Sequence, residues 1–462
     1  MKRLHIILLI TLITNSLLAQ SDNYKIAINN FQSNFNADKY DSIFINFSPE
    51  MKNALPLEKA NQYFKNLKNK YGKIVSKEFI NYQQSTYANY KTEFETAILA
   101  VNISLDNQNK INGFFVDSYK DPNKTESKTV NALYNYPKEI ADIIFSKSKD
   151  FPNNTQLSIA IIINDKTNYY GIIKVNDTIK PAENQNKVFE IGSITKVFTS
   201  TVLASLVIDK KLNLTDNINT FYPFPFKDNV ELSFVNLANH TSGLPKLPKN
   251  LDLSNGTNPY KNFGEKEIET FLKDLLKLDN EPSKTYSYSN LGAGLLGYTL
   301  GLSQKSSFQN LLQKKIFNKY KMTSSFTSSH GLDNRLVKGL NQKGETVSNW
   351  DFDVLFGGGG ILSTTEDLVK FANAQFNPKN KDLDLTRIST FKINESMRIG
   401  LGWHIITTKN GKDIYWHNGG TGGYSSSMAV KIDDKTVVII LANVSNVNDK
   451  IDGICFELIN KN

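Results

Sequence analysis

Apolar and polar positions change period several times along the chain, and each change marks an element. From Ser21 to about Asp121 the pattern describes a small unit. "DNYKIAINNFQSNF" and "EKANQYFKNLKNKYG" space apolar residues three and four apart and predict two helices. "KIVSKEFINYQQ", "YKTEFETAILAVNISLD" and "KINGFFVDSY" alternate and predict strands of an antiparallel sheet, with a turn in "LDNQNKING". The polar, proline-bearing stretch from Tyr119 to Asn131 reads as a linker, which places an interdomain segment over 122–135. A second, larger domain then occupies 136–462. It opens with an amphipathic helix, "YPKEIADIIFSKSKD", and a hairpin, "TQLSIAIIIND" with "TNYYGIIKV". "FEIGSITKVFTSTVLASLV", Phe189 to Val207, follows as an almost unbroken apolar helix. There is no internal repeat and no low-complexity tract.

The first 20 residues form a separate pattern. Lys2 and Arg3 precede an apolar run from Ile6 to Ile13, broken only by Thr11, and "LLA" ends at Ala19. This reads as a secretory signal cleaved near Ala19 or Gln20, which predicts a secreted, periplasmic protein without a stable membrane span. The formal charge of +9 becomes +7 once Lys2 and Arg3 leave, with 52 basic and 45 acidic residues remaining. Lysines are scattered among asparagines and acids, a solvated surface rather than a nucleic-acid stripe. A hydrophobic fraction of 40% supports sizeable cores. Cys455 is the sole cysteine, in the apolar "GICFELI", so no internal disulfide forms and the thiol reads as buried and inert. Five dispersed histidines and no cysteine cluster give no metal site, and no cofactor motif stands out.

Lysine is costly to bury, yet Lys196 sits near the head of the apolar helix, three residues after Ser193. On a helix that spacing puts both on one face. A serine nucleophile needs a neighbour to take its proton, and a desolvated lysine with a lowered pKa can do so. Backbone N–H groups at the helix start suit a developing oxyanion. The same spacing occurs at Ser146–Lys149 and Ser389–Lys392, but neither pair opens an apolar helix after a strand pair.

Downstream, "TYSYSNLGAGLLGYTLG" places Tyr288 and Asn290 ahead of an apolar, glycine-rich helix. "IYWHNGGTGGYSSSMAVKI", Ile414 to Ile432, reads strand, glycine turn, strand, and Gly419 and Gly420 allow a substrate backbone to approach beside His417. Ser-x-x-Lys, Tyr-x-Asn and a glycine-rich strand, in that order, resemble the serine penicillin-recognising enzymes, in particular the class C β-lactamase and esterase-like branch. "LANHTSGLP", "FGGGGILSTTEDLVKFA" and "GLGWHI" extend the resemblance across Tyr136 to Asn462.

The resemblance implies an α+β fold of the β-lactamase/transpeptidase type: an antiparallel sheet packed by helices. An all-helical lobe would lie between Ser193 and about Phe376, with the active site between lobe and sheet. It implies that Ser193 is acylated, Lys196 is its proton partner and Tyr288 is the second acid/base. Asn290 would hold the network and touch the substrate amide, His417 and Gly419 would bind substrate, and the N–H groups of Ser193 and Gly420 would form the oxyanion hole. His417-Asn418-Gly419 stands where the family has Lys-Thr-Gly, so the permanent cation that anchors a substrate carboxylate is missing. That points away from strong β-lactamase action and toward D-alanyl peptides, other short peptides or esters, with peptidoglycan fragments among them. No glutamate stands out to activate the deacylation water, which leaves the tyrosine route. The alternative is a slow penicillin- or peptidoglycan-binding sensor protein. Helix pair followed by sheet in the front unit resembles small NTF2-like domains, a binding or spacer module.

The remaining features have quieter readings. His240, in "HTSGLP", and His404 read as structural. Gly357 to Gly360 form a tight turn before a helix capped by Ser363, with Glu366 completing a capping box. Trp403 and Trp416 either line a pocket or fill core. The oligomeric state is open.

Overall fold

The computed structural model describes residues 21–83, 87–119, 128–253 and 257–461. The signal-peptide reading of residues 1–20 lies outside them. The chain divides into two compact units, Met1–Glu126 and Ser127–Asn462.

In the first unit, helices Asp22–Asn36 and Leu57–Tyr71 bury Ile28, Phe31 and Phe35, and Ala60, Phe64 and Leu67, each a single helical stripe. Two short helices the pattern does not reveal, Tyr40–Ile45 and Pro49–Ala54, lie between them. The sheet is an antiparallel meander of four strands in chain order, Ile74–Gln83, Tyr87–Phe94, Ile98–Leu105 and Ile111–Ser118. The pattern gave three, because the reversal at Glu95, Thr96 and Ala97 carries neither glycine nor proline.

The second unit is built on an eleven-stranded sheet. Its centre runs Asp413–Gly420, Ser425–Lys431, Thr436–Ala442, Gln156–Ile163, all antiparallel neighbours. Alternation along Gln156–Ile163 sends Ile159 and Ile161 to one face, with helices Lys138–Ser148 and Asn448–Lys461, and Ala160 and Ile162 to the other. That second face packs against the helices after Ser193, with Phe198, Val202, Leu368 and Phe371 in its core. Val130–Asn131 pairs parallel to Thr178–Pro181 at the sheet edge, so the larger unit reaches back into the stretch read as a linker. The hairpin partner "TNYYGIIKV" is two strands, Lys166–Tyr169 and Ile172–Val175, interrupted at Tyr170 and Gly171.

The lobe between Ser193 and Phe376 is not wholly helical. Leu362–Ser363 is extended and pairs with Phe189–Glu190. That pairing keeps Ser363 in a ladder, so the next helix, Thr365–Ala374, is capped by Thr364 instead, whose hydroxyl accepts from Asp367 N. Glu366 therefore completes no capping box. Among the described residues no helix is long and apolar enough to cross a membrane.

Candidate active site

The strand Phe189–Glu190 ends at Ile191, and Gly192 turns the chain with a left-handed φ of +51°. A single tight turn, Gly192–Ile194, then feeds the helix Thr195–Ile208. Ser193 stands half-buried at its head. Lys196, buried one turn on, brings Nζ to 2.8 Å from Ser193 Oγ. Nζ also donates to Asn290 Oδ1 at 2.9 Å and to the Gly358 carbonyl at 2.6 Å. Burial, reinforced by the Lys246 charge, holds this amine well below the ordinary lysine range. A neutral amine has two N–H bonds and one lone pair. The Asn290 and Gly358 oxygens take the two N–H bonds, and the lone pair is left for the Ser193 hydroxyl.

Tyr288 belongs to an irregular segment that precedes the helix Asn290–Ser303, capped by the Ser289 hydroxyl on Gly292 N at 2.8 Å. Its phenol interacts with Ser193, and its ring lies 4.9 Å from Lys196 Nζ. Desolvation pushes the phenol above its ordinary value and outweighs the opposing effect of Ser193. Burial thus biases both the amine and the phenol toward their neutral forms around one hydroxyl.

The strand Asp413–Gly420 forms the opposite wall. His417 faces the site, and Asn418, by alternation, faces away and donates to Asp452 Oδ2 at 2.7 Å. Asn448 Nδ2 holds the Gly419 carbonyl at 2.7 Å. At Gly419 the room is taken by the serine turn, not left for substrate. A methyl there would lie 2.2 Å from Ile191 O and 2.8 Å from Ser193 N. Reciprocally, a methyl on Gly192 would lie 2.7 Å from Gly420 N. Thr421 N donates to Tyr424 O at 3.0 Å, so ladder alternation turns the Gly420 N–H away from the neighbouring strand, to the side where Gly192 lies. The N–H groups of Ser193 and Gly420 thus flank one opening beside Ser193 Oγ.

Three of the five histidines gather here. His417 Nδ1 lies 2.6 Å from the Asn418 carbonyl, which can only accept, so this nitrogen carries the proton and Nε2 is a bare acceptor. Nε2 is buried with no partner among the described residues. The His404 ring is 5.3 Å from His417, and its Nε2 is 2.8 Å from the Tyr286 hydroxyl. The His240 ring lies 4.5 Å from Tyr288. Burial is the main cause that depresses all three; His404 falls to about 4 although a hydrogen bond from its ring to the Trp416 backbone carbonyl opposes this.

Ser193, Asn290, Gly358, Gly359 and Gly420 share a cleft with Tyr260, Trp350, Phe352 and Leu355. Tyr260 stacks on Phe352 at 4.6 Å, and its hydroxyl accepts from Asn290 Nδ2 at 3.4 Å. Sequence reading missed these aromatics, which come from irregular segments with no period, and the Gly358 carbonyl, which no side chain advertises. The tryptophans it weighed lie elsewhere: Trp403 is fully buried core, and Trp416 donates to Ser427 Oγ at 3.0 Å. Ser146 Oγ donates to the Ile143 carbonyl and Lys392 pairs with Glu395, so neither stray Ser-x-x-Lys pair builds a site. Among the described residues no cluster of three or more His, Cys, Asp or Glu could hold a metal.

Comparison with known proteins gives this arrangement its context. The family model described as Beta-lactamase matches residues 153–453, and a protein of unknown function (DUF3887) matches residues 29–114. Beta-lactamase-like protein 4 of Dictyostelium discoideum is 29% identical over 297 residues, 56% of this chain and 51% of the relative. The chain thus spans about half that relative's length. The D-alanyl-D-alanine-carboxypeptidase/endopeptidase AmpH of Escherichia coli K12 is 24% identical over 318 residues, 63% of this chain and 80% of the relative. The crystal structure of a beta-lactamase/D-alanine carboxypeptidase from Pseudomonas syringae superposes with a TM-score of 0.57 at 21% identity, over 69% of this chain and 99% of that one, a likeness of fold.

Proposed function

Because the chain belongs to the beta-lactamase family of serine hydrolases, we propose that it cleaves an amide or ester through an acyl-enzyme on Ser193. The observation that carries this reading is the part-buried contact of 2.8 Å between Lys196 Nζ and Ser193 Oγ, with burial holding the amine well below the ordinary lysine range. Ser193 Oγ attacks the carbonyl carbon and its proton passes to the Lys196 lone pair. The oxyanion is received by the N–H groups of Ser193 and Gly420. Tyr288, a neutral phenol, donates its proton to the leaving group and is reprotonated from Lys196. In deacylation the same groups act in reverse on water, and Ser193 regains its proton.

The groups around Ser193 bear on the substrate class. His417 presents an acceptor where the related pattern has a permanent cation, and the other wall is aromatic. This favours esters and peptides, including D-alanyl peptides of the kind that the AmpH name describes, over carboxylate-anchored lactams. Secretion by way of residues 1–20, and an NTF2-like binding or spacer role for the first unit, belong to the same proposal.

Incubation with a fluorophosphonate or a labelled penicillin, followed by mass spectrometry, tests it. The adduct is expected on the Ser193 peptide. It should vanish in Ser193→Ala and persist in Ser146→Ala and Ser389→Ala. An adduct on any other serine, or none with either probe, sinks the proposal. A penicillin adduct that forms and never turns over would mark the sensor role instead.

A further inference from the structure

Tyr288 lies in a segment with no regular structure, so its backbone position must be fixed from outside. The support comes from one stretch, His240 to Lys246. Gly243 O accepts from Asp279 N at 2.8 Å, and Thr241 O from Ser283 N at 2.8 Å. His240 O accepts from Ser287 N at 2.8 Å, and Lys246 O from Asn290 N at 3.0 Å. All of these are backbone pairs. The residue directly after Tyr288 departs from the pattern, because Ser289 N donates to a side chain, His240 Nδ1, at 3.2 Å.

His240 therefore holds Tyr288 from both sides in sequence. Its carbonyl takes the N–H before the tyrosine, and its imidazole takes the N–H after it. Its ring lies against the phenol at 4.5 Å and 36°. His240 is buried, and it adopts a left-handed φ of +60°, uncommon for a residue with a side chain. The turn is over-determined around it. Thr241 N and Oγ1 both donate to Asn239 Oδ1, Asn236 Nδ2 donates to Thr241 Oγ1, and Thr241 N donates to Asn236 O. Strain maintained by so many neighbours points to a geometric task. A backbone N–H can only donate, so Nδ1 is the acceptor and the proton sits on Nε2. That nitrogen has no partner among the described residues. Burial biases the ring toward its neutral form, the state the contact requires.

We infer that His240 is a positioning residue for the reaction: its Nδ1 lone pair fixes the Tyr288 segment so that the phenol meets Ser193. The inference rests on the acyl-enzyme reading above. It also separates the imidazole acceptor from the ring's bulk. Asparagine tolerates the left-handed conformation, and its Oδ1 stands two bonds from Cβ, as Nδ1 does. Phenylalanine keeps the ring and removes the acceptor.

The experiment compares wild type, His240→Asn and His240→Phe in steady-state hydrolysis of a chromogenic ester, with thermal melts and fluorophosphonate labelling alongside. His240→Asn is expected to keep kcat within about tenfold of wild type. His240→Phe should lose about a hundredfold in kcat with KM nearly unchanged, the effect of a displacement of about 1 Å in a catalytic group. Should the Phe variant not fold, His240→Gln, whose acceptor lies one bond too far, is read in its place. Equal kcat in the Asn and Phe (or Gln) variants overturns the inference, and so does a loss in kcat that only tracks a lower melting temperature, because that marks turn stability rather than the acceptor. A folded Phe variant as fast as wild type overturns it too. If wild type itself neither turns over the ester nor labels at Ser193, the acyl-enzyme reading fails and this inference falls with it.

Discussion

Gly419→Ala tests whether two strands of backbone, rather than side chains, set the proposed oxyanion site. Gly419 has no left-handed φ, so alanine is conformationally allowed and the change is purely one of space. The new methyl would sit 2.2 Å from Ile191 O, 2.6 Å from Ser426 Oγ and 2.8 Å from Ser193 N, where ordinary contact begins at 3.4 Å. The strand and the serine turn must therefore part by about 1 Å, and two of the three obstacles are backbone atoms that cannot swing aside. Oxyanion donors act at about 2.7–3.1 Å, so this parting removes one of the pair. Loss of one donor costs about 100–1000-fold in rate, roughly 3–4 kcal/mol. Gly420→Ala is the control, because its methyl would approach only the Asn448 side chain, at 3.1 Å. Stopped-flow acylation with a chromogenic ester, checked against melting curves, compares the two. Gly419→Ala should fall by two to three orders of magnitude and Gly420→Ala by less than about fivefold. Similar rates in the two variants, or a Gly419→Ala enzyme within fivefold of wild type, would refute the reasoning.

Other outcomes follow from the same geometry. Lys196→Met should lower kcat by about 100–10,000-fold while leaving the melting temperature equal or higher, because a desolvated amine is replaced by a side chain that needs no water; a lower melting temperature contradicts that account. In wild type, kcat/KM should rise with pH through the depressed Lys196 pKa, far below 10.5, and this rising limb should be absent from Lys196→Met. His404 titrates at about 4 when folded and 6.5 when not. Between those values the unfolded chain binds the extra proton, so stability is lost as pH falls, by up to ~3 kcal/mol for this group. Melting from pH 7 to pH 4.5 should show a steeper fall in wild type than in His404→Gln, and equal slopes would count against the buried neutral ring. Thr364→Ala should cost about 1 kcal/mol in chemical denaturation through loss of the helix cap, and an unchanged midpoint would remove the cap assignment. His417→Lys should raise kcat/KM for carboxylate-bearing peptides relative to neutral esters; unchanged selectivity would deny His417 a part in substrate recognition.

Much of the fold was legible because its elements obey simple periods. Ile28, Phe31 and Phe35 announce a helix face, and the all-apolar run Ile159 to Ile162 announces a strand covered on both sides. Ser193 and Lys196 were legible as neighbours because helical spacing alone brings them together. The failures have equally physical causes. Glu95, Thr96 and Ala97 reverse the chain without a turn residue, so two strands read as one. Ser363 looked like a cap because the sequence does not show that Phe189 holds it in a ladder. His240 read as a plain turn residue, since its contact with Ser289 N spans 49 positions and uses an imidazole in a place where the turn alone would accept asparagine. Gly358 contributes a carbonyl, which every residue possesses, and Tyr260, Trp350 and Phe352 reach the cleft from loops whose paths are set by the whole lobe.

The helix Asn448–Lys461 has a consequence for how the cleft is assembled. Through Asn448 it grips Gly419, and through Asp452 it grips Asn418. The central strand Gln156–Ile163, paired on one side with the strands that follow it, gains its neighbour on the other side only from Thr436–Ala442. A chain without Asn448–Lys461 would still carry the serine, the lysine and the tyrosine, with no braced wall to face them. The wall facing Ser193 is thus braced by a helix far downstream of it, so the cleft is complete only once that distant helix has docked on its strand.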